Sequence, residues 1–371
     1  MNTPPEHTYQ LPIARDYIRH WGLKEGVREL LQNALDHLNR QGDPDAPFEF
    51  SFYGDALSIT SRGALLEAKT LLLGCTSKAN DPHSIGHFGE GYKLALLVLL
   101  RAGYQVRVLN GAKEWRPAFS YSEQFDSEVL TIEQRPLGHD EGGVTFEITG
   151  LTETDRDQVR SMCLRMQPPM RDVIGVPIGH ILPSRPGKLY VGGLYVCDTA
   201  HKYGYDIQPA HLQLERDRQT VGGWELQSVT RDMWLASKRW DDVISMLEIE
   251  APDVRLIQYT SVPAELAEQA AAHFDRKHTH ALPVATQEQA EQLANSGYRT
   301  VITTPAMAAV LTSAPSIKQR TATVKVATPR QTLEGWLDSH KRYLSRMPKV
   351  AFKKLIDQAS DWKLADKSVR F

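Results

Sequence analysis

The glycine-rich stretch that ends at Lys93 has the composition of an anion-binding loop. Gly86, Gly89 and Gly91 would let the backbone approach a ligand without a Cβ atom in the way. The apolar run that follows predicts a helix, whose first N–H groups and positive dipole end would face that ligand. Lys93 adds a full positive charge in the first turn. The alternative interpretation is a glycine-rich turn that only packs tightly.

A second polar set lies upstream, on a helix predicted over residues 16–40. Apolar residues at helical spacing form one face of this helix, and Glu29, Asn33 and Asp36 follow one another at i, i+4 and i+7 on the opposite face. The amide oxygen of Asn33 suits a hard cation such as magnesium. The carboxylate of Glu29 could hold and deprotonate an attacking water. The alternative here is a solvated polar face.

The two sets, in this order, resemble a known superfamily over residues 16–150. Glu-x-x-x-Asn-Ala-x-Asp on an N-terminal helix, then a Thr-Ser-Lys loop, then Gly-x-x-Gly-x-Gly is similar to the gyrase, heat-shock-chaperone, histidine-kinase and MutL (GHKL) ATPases. The Thr-Ser-Lys loop and Gly89-Glu90 look most like MutL. The form Phe88-Gly89-x-Gly91 looks more like the ninety-kilodalton heat-shock chaperone.

The resemblance implies ATP and Mg²⁺ as cofactors and gives individual residues roles. It makes Glu29 the general base, Asn33 the magnesium ligand, and residues 74–87 a mobile lid. Lys78 and Lys93 become secondary phosphate contacts. The implied nucleotide-binding set is Asn33, Asp36, Gly63, Thr76, Ser77, Lys78, Gly86, Gly89, Gly91, Lys93 and Thr145.

Two positions depart from the superfamily pattern. The superfamily has Asp-x-Gly-x-Gly after its second strand, and that aspartate binds the adenine amino group. Here Ser61 takes the place of the aspartate and only Gly63 remains. The superfamily also has Gly-Thr in the last strand of the domain, whereas Gly143-Val144-Thr145 places the threonine one position later. Base selectivity is therefore open.

A further resemblance concerns the region that follows. Residues 212–217, Leu-Gln-Leu-Glu-Arg-Asp, look like the chaperone segment whose arginine reaches the γ-phosphate. This likeness implies a catalytic role for Arg216, with Arg218 as the reserve. The alternative interpretation is a surface cluster of charges of alternating sign.

The pattern of the chain predicts an α+β protein of four regions. Residues 1–153 are expected to form the nucleotide-binding domain, a Bergerat-type α/β sandwich in which a mixed sheet carries helices on one face. Residues 154–252 are expected to form a transducer-like domain, with one long helix at 225–245. Residues 253–315 alternate between strand and helix patterns, starting with a strand at 255–259, and predict a small parallel α/β unit. Residues 316–371 predict a basic helical segment broken at Pro348.

Charge is distributed unevenly between these regions. Residues 315–371 hold 13 Lys and Arg against 5 Asp and Glu, a formal charge of +8. The whole chain has 43 basic and 45 acidic residues, so the rest carries 30 and 40, a formal charge of −10. A basic segment on an acidic body indicates an anionic partner such as nucleic acid. The alternative is a pair of solvated helices.

These observations predict an ATP-driven conformational switch that acts on DNA or protein. The alternatives are a non-hydrolysing nucleotide-sensing scaffold and, less in keeping with the early start of the ATP region, a histidine-type kinase. A nucleotide-dependent homodimer is implied by the resemblance alone. Three widely spaced cysteines, and an N-terminus without a signal-peptide pattern, favour the cytoplasm and no membrane association.

Overall fold

The computed structural model describes residues 4–40, 48–72, 91–212, 222–295, 297–322 and 329–359. The chain divides into two compact units, residues 1–229 and 230–371. The predicted boundary at residue 153 falls inside the first unit, and the four-region division stays a prediction. No helix in the described ranges is long and apolar enough to cross a membrane.

The first unit is built on a seven-stranded sheet in the order β1-β6-β5-β4-β7-β3-β2. Every pair of neighbours is antiparallel, so the prediction of a mixed sheet is wrong. Short turns explain three of these pairs, because β2–β3, β4–β5 and β5–β6 are hairpins with only two to four residues between the strands. The strands are β1 (His7–Ala14), β2 (Glu49–Tyr53), β3 (Ala56–Arg62), β4 (Gln105–Asn110), β5 (Lys113–Ser122), β6 (Ser127–Pro136) and β7 (Gly143–Thr149).

Two helices, α1 (Leu23–Arg40) and α2 (Gly91–Arg101), pack on one face of this sheet and on each other. Their apolar residues share a core with alternate residues of the strands, among them Ile59 and Phe146. Five leucines and valines of α2 are buried, which confirms the prediction of a buried helix after the glycine-rich stretch. A third helix, α3 (Glu153–Met162), begins at a capping box between Thr152 and Asp155.

The first of these helices starts seven residues later than predicted. Residues 15–22 form turns around the guanidinium of Arg101, which donates hydrogen bonds to the carbonyl oxygens of Arg15, Tyr17, Ile18 and Trp21 at 2.7–3.3 Å. Ile18 has a φ of +49°, which a right-handed helix does not allow. A side chain 80 residues away therefore overrides the local helical pattern.

Replacing Arg101 with Met should destabilise the first unit by about 2–3 kcal/mol, because several carbonyl groups lose a charged donor. Urea unfolding of the full chain measures this loss. The matched control is Arg19→Met, in the same segment, whose exposed ion pair with Asp16 should contribute much less to the free energy of unfolding. Equal effects of the two substitutions would contradict the role given to Arg101.

A smaller sheet completes the first unit, in the order β11-β10-β12-β9-β8. Gly192 and Gly193, whose φ angles are +58° and +82°, form a turn between two antiparallel strands. The strands are β8 (Ile174–Val176), β9 (Gly179–Leu182), β10 (Lys188–Val191), β11 (Leu194–Asp198) and β12 (Gly204–Ile207).

The second unit contains the parallel pair β13 (Leu282–Val284) and β14 (Thr300–Ile302), which confirms the predicted α/β unit. Two details differ from the prediction. Residues 255–259 form a 3-10 helix rather than a strand, and the long helix predicted at 225–245 is two helices that break at Lys238, where φ is +54°. The helix α4 (Gly223–Ser237) begins in the first unit and ends in the second. The helices that follow it are α5 (Trp240–Glu248), α6 (Ala264–Lys277), α7 (Gln287–Asn295), α8 (Pro305–Ser313) and α9 (Pro315–Ala322).

The chain continues into a helical hairpin, α10 (Pro329–His340) and α11 (Arg346–Ala359). The break lies at residues 341–345, and Pro348 sits in the first turn of α11, where a missing N–H costs little. The predicted break at Pro348 is therefore three residues too late. Trp336 stacks on His340 at 4.4 Å and lies 4.7 Å from the ring of Phe352, so it joins the two helices.

Candidate functional site

The carboxylate of Glu29 lies against the first residue of α2. A Cβ atom on Gly91 would stand 2.2 Å from Glu29 Oε2, closer than any real side chain could approach. The two sequence motifs, 62 residues apart, therefore meet in the fold. This contact places an anionic side chain beside the positive end of a helix dipole, which is the favourable arrangement of charge.

Close packing of α1 on α2 sets this contact. Gly26 lies one turn before Glu29, and a Cβ atom there would be 3.0 Å from Leu99 Cγ and 3.5 Å from the carbonyl oxygen of Ala95. The two glycines thus let the helices approach each other at both positions. The sequence pattern signals the glycine of α2 but gives no reason to single out Gly26.

Burial on α1 differs from the alternative interpretation of its polar residues as a solvated face. Glu29 is 4% exposed and Asp36 is fully buried, and Arg28 and Gln32 are buried beside them. Asn33 is the partly exposed member of the predicted set. The polar residues of α1 are therefore not a surface feature. Burying charged and amide groups costs free energy unless those groups have partners or a ligand.

The end of β3 reaches the last turns of α1. His37 Nε2 lies 2.8 Å from the carbonyl oxygen of Arg62. Ser61 is half-buried, and because strand residues alternate between faces, it shares the helix-facing side with Leu57 and Ile59. The position that replaces the superfamily aspartate therefore faces the same side of the sheet as α1.

Gly63 has a local reason to be glycine. Its φ is +71°, its N–H donates to the carbonyl oxygen of Gly142 at 2.9 Å, and a Cβ atom there would meet nothing within 4 Å. The turn after β3 requires this conformation, which favours glycine. The nucleotide-binding role that the resemblance implies for Gly63 stays a prediction.

Thr145 lies on the other face of the sheet. Its hydroxyl is 2.9 Å from that of Thr60, its partner across β3 and β7, and it donates to Glu141 Oε1 at 3.1 Å. The residues before and after it, Val144 and Phe146, are the ones that point into the core beneath the helices. The structure therefore does not bring Thr145 to Glu29 and Asn33, because the strand period of two turns it away.

Lys93 is fully buried and joins two segments of the backbone. Its ammonium donates to the carbonyl oxygens of Thr70 and Leu72 at 2.8 and 2.5 Å. These two residues lie in and directly after the 3-10 helix Ala68–Leu71. Tyr92 assists through a 2.9 Å hydrogen bond to the Thr70 hydroxyl, and burial raises the pKa of Tyr92 to about 12. Lys93 thereby stabilises the start of α2.

The remaining predicted site residues lie outside the described residues, and so their roles stay predictions. They are Thr76, Ser77, Lys78, Gly86, Gly89 and Arg216.

A magnesium ion at this site would have few protein oxygen atoms as ligands. In the part of the chain that the structure describes, no group of three or more His, Cys, Asp or Glu side chains could hold a metal ion. A Mg²⁺ ion at Asn33 would therefore take most of its ligands from phosphates and water, as magnesium commonly does.

Gly91→Ala tests the contact between the two helices. We expect a loss of about 1–3 kcal/mol, because the added methyl group must displace the Glu29 carboxylate. Urea unfolding measures it. The matched control is Gly223→Ala, also at the first residue of a helix, where a Cβ atom would meet nothing within 4 Å. A loss for Gly223→Ala as large as that for Gly91→Ala would contradict the tight fit.

Comparison with known proteins adds one relative without a described activity. The chain is 21% identical over 244 residues to an uncharacterized protein of Mycoplasma pneumoniae (strain ATCC 29342 / M129 / Subtype 1). The match covers 63% of this chain and 94% of the relative. No family model matches the chain.

Proposed function

We propose that this protein binds Mg·ATP on α1 and α2 and hydrolyses it as a conformational switch of the GHKL type. The observation that carries the proposal is the contact of the Glu29 carboxylate with Gly91 at the N-terminus of α2. A general base beside a helix start that can receive phosphates is the pairing that nucleotide hydrolysis needs.

Several features support the nucleotide site. Asn33 lies one turn beyond Glu29 and is partly exposed, so its amide oxygen can reach a metal on the ligand side. Ser61 faces the same side of the sheet as the last turns of α1. By analogy with the superfamily, the base of the nucleotide would lie there. In this proposal Lys93 supports the site without contacting the phosphates, because its ammonium donates to the carbonyl oxygens of Thr70 and Leu72. These hydrogen bonds stabilise the start of α2.

A second candidate is a nucleotide sensor that does not hydrolyse its ligand. Ser61 favours it, since the adenine-binding aspartate of the superfamily is missing. Steady-state phosphate release separates the two functions, because only a hydrolase releases phosphate from bound ATP. In either case, the client of the switch is a macromolecule, and Arg216 and a nucleotide-dependent homodimer remain part of the proposal by resemblance.

Calorimetric titration of the full chain with ATP, with and without Mg²⁺, tests nucleotide binding directly. We expect binding that depends on Mg²⁺, and a loss of that dependence in Asn33→Ala. The matched control is Asn39→Ala, an exposed amide in the last turns of the same helix. No heat of binding with either form of ATP would overturn the proposal.

Base selectivity gives a further prediction. Because Ser61 lacks the charge of the superfamily aspartate, ATP and GTP should differ in affinity by less than roughly 100-fold, or about 2.7 kcal/mol. Competition titrations measure the ratio. Ser61→Asp should shift the preference toward ATP, since a carboxylate accepts a hydrogen bond from the adenine amino group. A larger ATP preference in the unmodified chain would show that another group reads the base.

A further inference from the structure

A cavity of about 480 Å³ lies in the first unit, between the last turns of α1 and one end of the smaller sheet. Its volume is in the range of small-molecule sites. Leu35 and Leu38 of α1 form an apolar wall together with Leu164. The cavity is separate from Glu29, which is not among the residues that line it.

Asp206 supplies a carboxyl group, negative when ionised, to this cavity. Its Oδ1 accepts a 2.7 Å hydrogen bond from the N–H of Gly193, in the β10–β11 turn, and its side chain is 18% exposed. Oδ2 lies 3.9 Å from Nδ1 of His180, its partner across β9 and β12. Burial raises the pKa of Asp206, and the Gly193 N–H and the charges of His180 and Arg165 offset part of that rise.

Arg165 supplies the opposite charge. It belongs to the 3-10 helix Leu164–Met166, lines the same cavity, and acts on Asp206 electrostatically. Asn39 and Gln208 also line the cavity. One cavity therefore combines a carboxylate, a guanidinium and an apolar wall.

We propose that this cavity binds a small zwitterion of the amino-acid type. Its ammonium group would pair with Asp206, its carboxylate with Arg165, and its apolar side chain would lie on Leu35, Leu38 and Leu164. Guanidinium recognises carboxylates well because its donors match both oxygens. A single carboxylate with one oxygen already hydrogen-bonded is a poor site for a metal ion, which needs several oxygen ligands.

The test uses the full chain and L-leucine, L-methionine and L-phenylalanine as probes, in calorimetry at millimolar concentration. We expect measurable binding. Isoamylamine and 4-methylpentanoate, each lacking one charged end of leucine, should bind at least roughly 10-fold more weakly, a difference of about 1.4 kcal/mol. If isoamylamine binds as well as leucine, the cavity is a simple cation site and the proposal is overturned.

Two variants locate the ligand. Asp206→Asn keeps an oxygen for the Gly193 N–H but loses the charge, and it should weaken leucine binding at least roughly 10-fold. The matched control is Asp198→Asn, an exposed aspartate of the same sheet that pairs with Lys188, and binding should be unchanged. Arg165→Gln should reduce the affinity for leucine and leave that for isoamylamine as it was. The proposal is also overturned if none of the three amino acids binds. None of these outcomes depends on ATP, so they are independent of the proposed nucleotide site.

Discussion

Glu29→Gln is expected to bind Mg·ATP with nearly unchanged affinity and to lose hydrolysis by roughly 10²-fold or more. The substitution keeps the shape of the side chain, so the close fit against Gly91 is retained. It removes the proton acceptor, because an amide cannot take a proton from an attacking water. Parallel calorimetry and steady-state phosphate release measure the two effects separately.

The predicted separation of binding from turnover distinguishes the switch from the sensor. In a sensor, Glu29 only completes the packing of α1 on α2, and the phosphate-release rate of the unmodified chain is already at background. In a hydrolase, the rate falls while bound nucleotide remains. Glu25→Gln, one turn earlier and half-buried on the same helix, is the matched control and should keep full activity. Turnover by Glu29→Gln at the unmodified rate would exclude the general-base role.

Local patterns predicted the parts of the site that depend on helices. The buried character of α2 follows from its unbroken run of apolar residues, and the spacing of Glu29 and Asn33 follows from the helical period. The hairpin of β2 and β3 follows from alternation around Gly54, whose φ is +57°. Each of these features is set by residues close together in the sequence, which is why the sequence carries it.

Long-range contacts account for most of the errors. The start of α1 depends on Arg101, the role of Lys93 depends on the carbonyl groups of Thr70 and Leu72, and β1 is a strand because it pairs with β6. The face on which Thr145 lies depends on the register of β7, and a one-residue shift moves a side chain to the other side. No local pattern encodes these partners.

The cavity beside Asp206 shows the same limit. His180 and Asp206 are 26 residues apart and meet only because β9 and β12 are neighbours in the smaller sheet. Arg165 and Leu38 come from two further segments. Neither the spacing nor the type of these residues distinguishes them from ordinary surface and core positions, so no sequence pattern indicates a site there.

The basic C-terminal segment leads to the second large prediction, the binding of nucleic acid by electrostatic contacts. Its described part, residues 329–359, holds seven basic and three acidic residues, and Arg346, Lys353 and Lys354 are exposed on α11. Trp336 is engaged within the hairpin, whereas Tyr343 is 85% exposed. Contacts to phosphate should therefore dominate over stacking on bases.

Binding of this kind should weaken steeply with salt, because each phosphate contact releases counterions. With about four contacts, affinity for a DNA duplex should fall by roughly 10²-fold between about 50 and 200 mM salt. Fluorescence anisotropy with labelled duplex DNA, single-stranded DNA and RNA measures the slope. Little preference for sequence is expected, since phosphate contacts carry no base information.

Charge-neutral variants of the full chain assign the binding surface. Replacing Arg346, Lys353 and Lys354 with Gln should lower the affinity and flatten the salt slope. The control replaces three exposed basic residues of the same unit, Lys238, Arg276 and Arg299, and should leave both unchanged.

A truncation that removes the hairpin should end after Ala322 rather than earlier. Ile317 is fully buried, and Arg320 pairs with Asp275 through both guanidinium nitrogens, so α9 belongs to the folded body of the second unit. Loss of DNA and RNA binding in this truncation would place the anionic partner on the hairpin. If the full chain binds neither at low salt, or if the truncation binds as well as the full chain, the hairpin is a solvated structural element. A protein then becomes the better candidate for the client of the proposed switch, because the rest of the chain is acidic.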